Sequence, residues 1–272
     1  MVTLPAAALD PYERFSRYNS PYPAHDDGCA VDLYPARKTA YAPVSGEVRS
    51  IRTVQCPEKP YGTSVDHLVC VDCGDHIARL LHVDPAVEVG EHIEVGDRIG
   101  TLIRSGFFAR WVDHHLHVGF RDHGQNIERA SGSLPLTVDV PVEGVGWSGY
   151  GTVIEAGQTY VVLDAPGGNE EGFVALTADD GTPLDGGLPH YDRGGAFGAF
   201  PKTVSLLGTE VGHEDGRGIT WCDVEIRASG RAATGLSLFA SRGSVSVKLV
   251  FGSGHDVAVG DELTIAIEPS EG

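Results

Sequence analysis

Lysine is almost missing from this sequence. Lys38, Lys59, Lys202 and Lys248 are the only four, and the other sixteen of its twenty basic residues are arginines. Against 38 acidic residues this leaves a formal charge of −18 and an isoelectric point near 4.9. So negative a surface repels phosphate groups, which excludes nucleic acid and an anionic membrane as expected partners. Long apolar runs are also missing: none reaches the roughly 18 residues that a membrane-spanning helix needs. The N-terminal stretch MVTLPAAALDPYERF has no basic start, no extended apolar core and no twin arginine. It does not read as a secretory signal. The expectation is a cytoplasmic protein, or an extracellular one if this N-terminus is a trimmed mature end.

Cysteine is sparse and odd in number: Cys29, Cys56, Cys70, Cys73 and Cys222. Cys70-Val71-Asp72-Cys73 has a Cys-x-x-Cys spacing, but it lies in an apolar stretch that reads as a strand. Residues i and i+3 of a strand face opposite ways, so neither a disulfide nor a shared metal is expected there. Free thiols are the expectation for all five.

The acidic, lysine-poor composition resembles that of proteins from salt-loving microorganisms, including halophilic archaea. Salt screens the self-repulsion of such a surface. Stability is therefore expected to rise with potassium chloride, and a thermal melt that is flat or falls between low and molar salt would contradict this.

What the chain does have is glycine, proline and histidine. Its 36 glycines and 16 prolines punctuate short apolar stretches and point to a turn-rich all-β protein. At 272 residues the length suits two domains, and the boundary is placed near residue 130. Domain 131–272 reads as a β-sandwich or barrel, with strands at 151–155, 160–163, 172–176, 222–226, 236–239, 244–250 and 262–267. Within it, the glycine-rich run 186–195 reads as a long loop, open to a functional role over the first domain or to none. In domain 1–130, Tyr12, Phe15 and Tyr18 recur every three residues, a spacing that fits a helical turn. Residues 20–29 read as a loop, and Ala30 to Leu33 as the start of a strand.

Nine of the twelve histidines lie in the first 123 residues. The central stretch is Asp113-His114-His115-Leu116-His117-Val118-Gly119-Phe120. On a strand, alternate residues share a face, so His115 and His117 point one way and Leu116, Val118 and Phe120 the other. Two imidazoles on one face, backed by apolar side chains, make half of a metal or acid–base site. His114 falls on the opposite face; it, His67, His76, His92 and His123 read as supporting or solvated residues. A further strand, His76 to Leu81, ends at His82.

Several pieces stand in order. His25 and Asp32 come first, then Ala42-Pro43-x-x-Gly46-x-Val48, then Leu81-His82. Val89-Gly90-x-x-Ile93-x-x-Gly96-Asp97-x-Ile99-Gly100 follows, and last His115-Leu116-His117. Over about residues 20–122 this resembles the lysostaphin-type, LytM-like zinc endopeptidases. The resemblance implies a β-sandwich of the barrel-sandwich hybrid kind, with the core shared by biotinyl and lipoyl carriers. It implies a Zn²⁺ cofactor held by His25, Asp32 and His117, with His82 and His115 as catalytic groups beside the zinc-bound water. It also implies a peptide or peptide-containing substrate. The family spaces its first pair as His-x-x-x-Asp, whereas six residues separate His25 from Asp32 here. Asp26 and Asp27 therefore compete with Asp32 as the carboxylate ligand.

Two imidazoles and a carboxylate suit zinc and leave a fourth position for water, as a catalytic rather than a structural site requires. The expected activity is peptide-bond hydrolysis, with His82 or His115 passing protons and the other steadying the oxyanion. The alternative is a non-catalytic, metal-retaining binding module of the same fold. A carrier is set aside, because residues 62–90 hold no lysine to modify.

Overall fold

Alternating apolar residues broken by glycine and aspartate turns make this chain all-β, as its composition predicts. The computed structural model describes residues 1–168, 171–199 and 201–270. Among them, no helix is long and apolar enough to cross a membrane, and all five cysteines are free. The chain forms two compact units. One is Met1–Phe15 with Gly28–Val140; the other is Ser16–Asp27 with Pro141–Gly272.

The strands of the first unit are β1 (Val2–Pro5), β2 (Tyr12–Ser16), β3 (Ala30–Pro35), β4 (Thr39–Tyr41), β5 (Gly46–Gln55), β6 (Val65–Asp72), β7 (Ile77–Leu81), β8 (Val83–Pro85), β9 (His92–Ile93), β10 (Arg98–Leu102), β11 (Leu116–Arg121) and β12 (Leu136–Asp139). The run β3-β11-β7-β6-β5-β9 is antiparallel throughout. A small sheet β4-β10-β8 and the parallel pair β1-β12 complete the unit.

The central register sets the site. In β11, Leu116 lies opposite Leu33, His117 opposite Asp32 and Val118 opposite Val31. On its other edge Val118 meets Leu80 and Phe120 meets Ala78. Directly opposed residues share a face, so Val31, Leu33, Ala78, Leu80, Leu116, Val118 and Phe120 gather on one side, all fully buried. Burying a large apolar side chain contributes roughly 1.5–3 kcal/mol. A one-residue slip would turn this whole set to the wrong face. That energetic penalty locks His117 and Asp32 opposite one another on the other face. Past β11, the buried guanidinium of Arg121 donates to the carbonyls of Phe120, Arg129, Ala130 and Ser131 and to Ser133 Oγ. It holds the segment that follows through these carbonyl and hydroxyl acceptors.

Three expectations need correction here. Tyr12 to Ser16 is a strand rather than a helical turn, with Tyr12 and Phe15 fully buried; sheet pairing overrides a three-residue aromatic spacing that is too short to nucleate a helix. Residues 20–29 are not all loop, because Pro23–Asp26 forms one helical turn with proline at its start, where a missing N–H costs nothing. And β7 stops at Leu81, so His82 lies beyond the strand, with φ of 68°.

In the second unit, the expected strands are present as Tyr150–Ala156, Tyr160–Gly167, Phe173–Leu176, Val224–Ala228, Gly235–Leu238, Val245–Val250 and Glu262–Pro269. A sheet of twelve strands packs around a core that includes Leu163, Leu188, Leu236, Val247 and Leu249. The run 186–195 is not a long loop. Leu184–Leu188 and Arg193–Ala196 pair as an antiparallel hairpin in that sheet. Its glycines make room for neighbours: a Cβ on Gly194 would collide with the Trp221 ring, and one on Gly195 with the Tyr18 ring.

Candidate metal centre

Asp32 and His117 face each other across β3 and β11, with His117 Nδ1 2.9 Å from Asp32 Oδ1. The other carboxylate oxygen, Oδ2, lies 3.5 Å from His115 Nε2. Asp32 is buried and His117 partly so. His115 precedes the first residue of β11, so only one member of the His-x-His pair is on the strand proper. Both still reach the same carboxylate.

The tautomers of three histidines follow from their partners. A carbonyl or carboxylate oxygen can only accept, so the ring nitrogen it meets must carry the proton. His115 Nδ1 donates to the Asp113 carbonyl at 2.9 Å. His25 Nδ1 donates to the Arg17 carbonyl at 2.7 Å. His82 Nδ1 donates to Asp66 Oδ2 at 2.6 Å. Burial pushes His115 down to about 4, against the pull of the Asp32 carboxylate, so at neutral pH its ring is uncharged. In that uncharged ring Nε2 is left without a proton. For His115, that lone pair meets a carboxylate oxygen, an arrangement that a cation or a water between them would satisfy.

His25, Asp32 and His117 form a group that could hold a metal ion, their ligand atoms all lying within 4.8 Å of one another. The donor set fits the proposed metal. Two imidazoles and one carboxylate are the donors zinc takes in open sites, and a ring whose other nitrogen is tied to a backbone carbonyl is the usual support for a ligating histidine. Among the described residues the group takes Asp32, not Asp26 or Asp27. The extra residues between His25 and Asp32 are absorbed by the turn Pro23–Asp26 and by Gly28, whose φ of 59° suits glycine.

His25 is held from below by a residue the sequence did not single out. Asp185, fully buried, accepts from Ser16 Oγ at 2.5 Å and from the Arg17 N–H at 2.6 Å. Burial pushes its carboxyl up to about 6, although those two hydrogen bonds oppose the rise. Arg17 in turn supplies the carbonyl that orients His25.

His82 packs beside the His-x-His pair, its ring centroid 5.0 Å from that of His115 and 5.9 Å from that of His117. Phe108 stacks on His115 at 4.5 Å and meets His82 edge-on at 4.6 Å. The loop that carries Phe108 is fixed by Arg104, which donates to the carbonyls of Ala109, Arg110 and Val112. Tyr34 lies against the other side of His115, at 5.1 Å. These rings confine the imidazole of His115.

Asp66 is the second residue that sequence reasoning missed. It is fully buried on β6 and makes two bonds to one residue: Oδ2 takes the His82 ring proton, and Oδ1 takes the His82 backbone N–H at 2.9 Å. Burial alone would raise its carboxyl, but hydrogen bonds from His82, Ser105 and the His67 N–H outweigh burial and hold it below the usual range. A signal for it exists. Asp66, Leu68 and Cys70 alternate on one strand, and an unpaired aspartate is almost never found on a buried face. Of the remaining histidines, His114 is half-buried and its basicity is lowered by that burial and by Lys38 and Arg104. His76 packs edge-on to Phe120, while His92 and His123 are exposed.

Two adjoining family models cover nearly the whole chain. The N-terminal domain of a domain of unknown function, DUF8155, matches residues 3–138, and its C-terminal domain matches residues 143–268. The chain belongs to the DUF8155 family. No protein of curated function matches it. Among solved structures, the catalytic domain of the antimicrobial peptidase lysostaphin from Staphylococcus simulans is 21% identical and covers 47% of this chain and 90% of its own, with a TM-score of 0.31. A solution structure of lysostaphin is 14% identical over 96% of this chain and 89% of its own, with a TM-score of 0.28. A further lysostaphin structure from Staphylococcus simulans is 12% identical over 96% of each chain, with a TM-score of 0.27. These likenesses are slight, and the functional reading of this DUF8155 chain rests on its own residues.

Proposed function

We propose that the chain is a zinc-dependent hydrolase of peptide bonds, of the lysostaphin type. The observation that carries this reading is the meeting of a His-Asp-His group with two further imidazoles, those of His82 and His115, each of which donates its Nδ1–H to an oxygen. His25, Asp32 and His117 hold the zinc. Bound there, zinc supplies a Lewis acid that activates water and polarises a carbonyl. His82 Nε2 accepts the proton of the attacking water and returns it to the leaving amine. His115, with its own proton committed to Asp113, accepts the water's second hydrogen bond and orients it. The substrate class is a peptide or a peptide-containing polymer.

The competing reading, a metal-retaining binding module, draws on burial: His82 and His115 are only 7% and 4% exposed, under the ring of Phe108. One experiment separates the two. The purified chain is expected to carry about one zinc, by the three-ligand rule for open sites, and to cleave glycine-rich peptides in a reaction that a chelator abolishes and zinc restores. Zinc bound without cleavage across a broad peptide panel would favour the binding module.

A further inference from the structure

Asp66 sits outside the proposed ligand set and outside the resemblance that suggested it. Its geometry is nonetheless tightly constrained. Its carboxylate is fully buried and bonds to both the ring and the backbone of His82, 16 residues away, and to the backbone N–H of His67 at 2.7 Å. His82 is one of only three non-glycine residues with positive φ among the described residues. A left-handed conformation is strained for such a residue and persists only where the surroundings over-determine it. The Asp66 bond to the His82 N–H is one such constraint. A second is the Ile103 N–H, which donates to the His82 carbonyl at 2.9 Å.

We infer that Asp66 is a positioning residue that fixes the tautomer and the orientation of His82, so that Nε2 faces the site as a proton acceptor. This rests on the reading of His82 as the proton-transfer group. The carboxylate leaves the ring one proton location, Nδ1, and so keeps Nε2 open. As His82 takes a proton from water, the positive ring that forms is stabilised by the adjacent carboxylate. When the proton passes to the leaving amine, the ring returns to its starting tautomer. Asp66 itself never gains or loses the proton. The bond from Oδ1 to the backbone N–H holds the same ring in direction, because it sets the strained φ from which the side chain projects.

Asp66→Asn tests this with little change of shape. The amide oxygen can still accept the His82 and His67 N–H groups, and the amide nitrogen then faces His82 Nδ1. Being a donor, it requires a lone pair there and drives the ring proton to Nε2. In the zinc-loaded full chain labelled with ¹⁵N-histidine, His82 of the parent is expected to carry its proton on Nδ1. The signal is assigned by its loss in His82→Gln. In Asp66→Asn the proton is expected on Nε2, with zinc content unchanged and kcat lowered about 10²-fold or more while KM holds, the pattern of a wrong tautomer. A parent His82 protonated on Nε2 overturns the inference, as does an Asp66→Asn protein that keeps the Nδ1 tautomer or full kcat. The parent spectrum needs no substitution, so a variant that misfolds does not protect the idea. Tautomer and zinc are read without substrate. A parent that binds zinc but turns nothing over sinks the hydrolase reading, while the two spectra still decide what Asp66 does.

Discussion

Alanine at His117 is expected to remove most of the bound zinc from the purified chain. The position of His117 is set by the central register of the first unit, opposite Asp32 and beside Leu81. With it gone, Asp32 would face the metal with one imidazole instead of two. Losing a partner that merely supports a ligand typically costs 10–100-fold in metal affinity, so losing a ligand should cost at least about 10²-fold. The fold should survive, because the opposite face of β11, with Leu116, Val118 and Phe120, is untouched. His114→Ala serves as the control and should leave zinc in place, since His114 is outside the group that could hold a metal. Metal analysis after dialysis, with circular dichroism to check folding, decides the matter. A His117→Ala protein that binds zinc as tightly as the parent would refute the assigned site.

The second large effect is kinetic. His82→Ala and His115→Ala should each retain zinc, because neither is a proposed ligand, yet each should slow peptide hydrolysis. A positioned proton-transfer group is worth about 10²–10⁴-fold, and His82, which both accepts and returns the proton, should show the larger fall. His115 should show a smaller one, because orienting water does not itself transfer a proton. Its removal also opens space under Phe108, which stacks on the ring. His115→Gln keeps a polar side chain of similar length there and separates lost packing from lost chemistry. Metal-dependent turnover by His82→Ala at the parent rate would end the case for His82 as the proton acceptor.

The two effects differ in what they ask of the fold. Zinc binding needs three groups brought to one point, which β3 and β11 provide for Asp32 and His117 by register alone. Proton transfer needs a ring held in one tautomer and one direction. That takes Asp66, the bond from Ile103 and the aromatic wall of Phe108, drawn from β6 and from the segment beyond β10.

The amino-acid sequence by itself determined that the chain is all-β. Period-two alternation in Val31-Asp32-Leu33 and Leu116-His117-Val118 is a local property, since each residue's face follows from its neighbours. The free state of Cys70 and Cys73, which a strand cannot bring together, was legible for the same reason. The rest depended on partners far along the chain. That Asp32 and His117 share a face was settled only by the pairing of β3 with β11. The aromatic spacing at Tyr12, Phe15 and Tyr18 suggested a helical turn, and only sheet pairing made it a strand. The glycines of 186–195 suggested a long loop, and only the rings of Trp221 and Tyr18 showed that they allow close packing. Asp66 and His82 are 16 residues apart and Ser16 and Asp185 are 169 apart, so no local pattern joins them. Burying a carboxylate is costly until its hydrogen-bond donors arrive. Those donors are delivered by tertiary structure, and with them the tautomer of His82 and the support beneath His25 were decided.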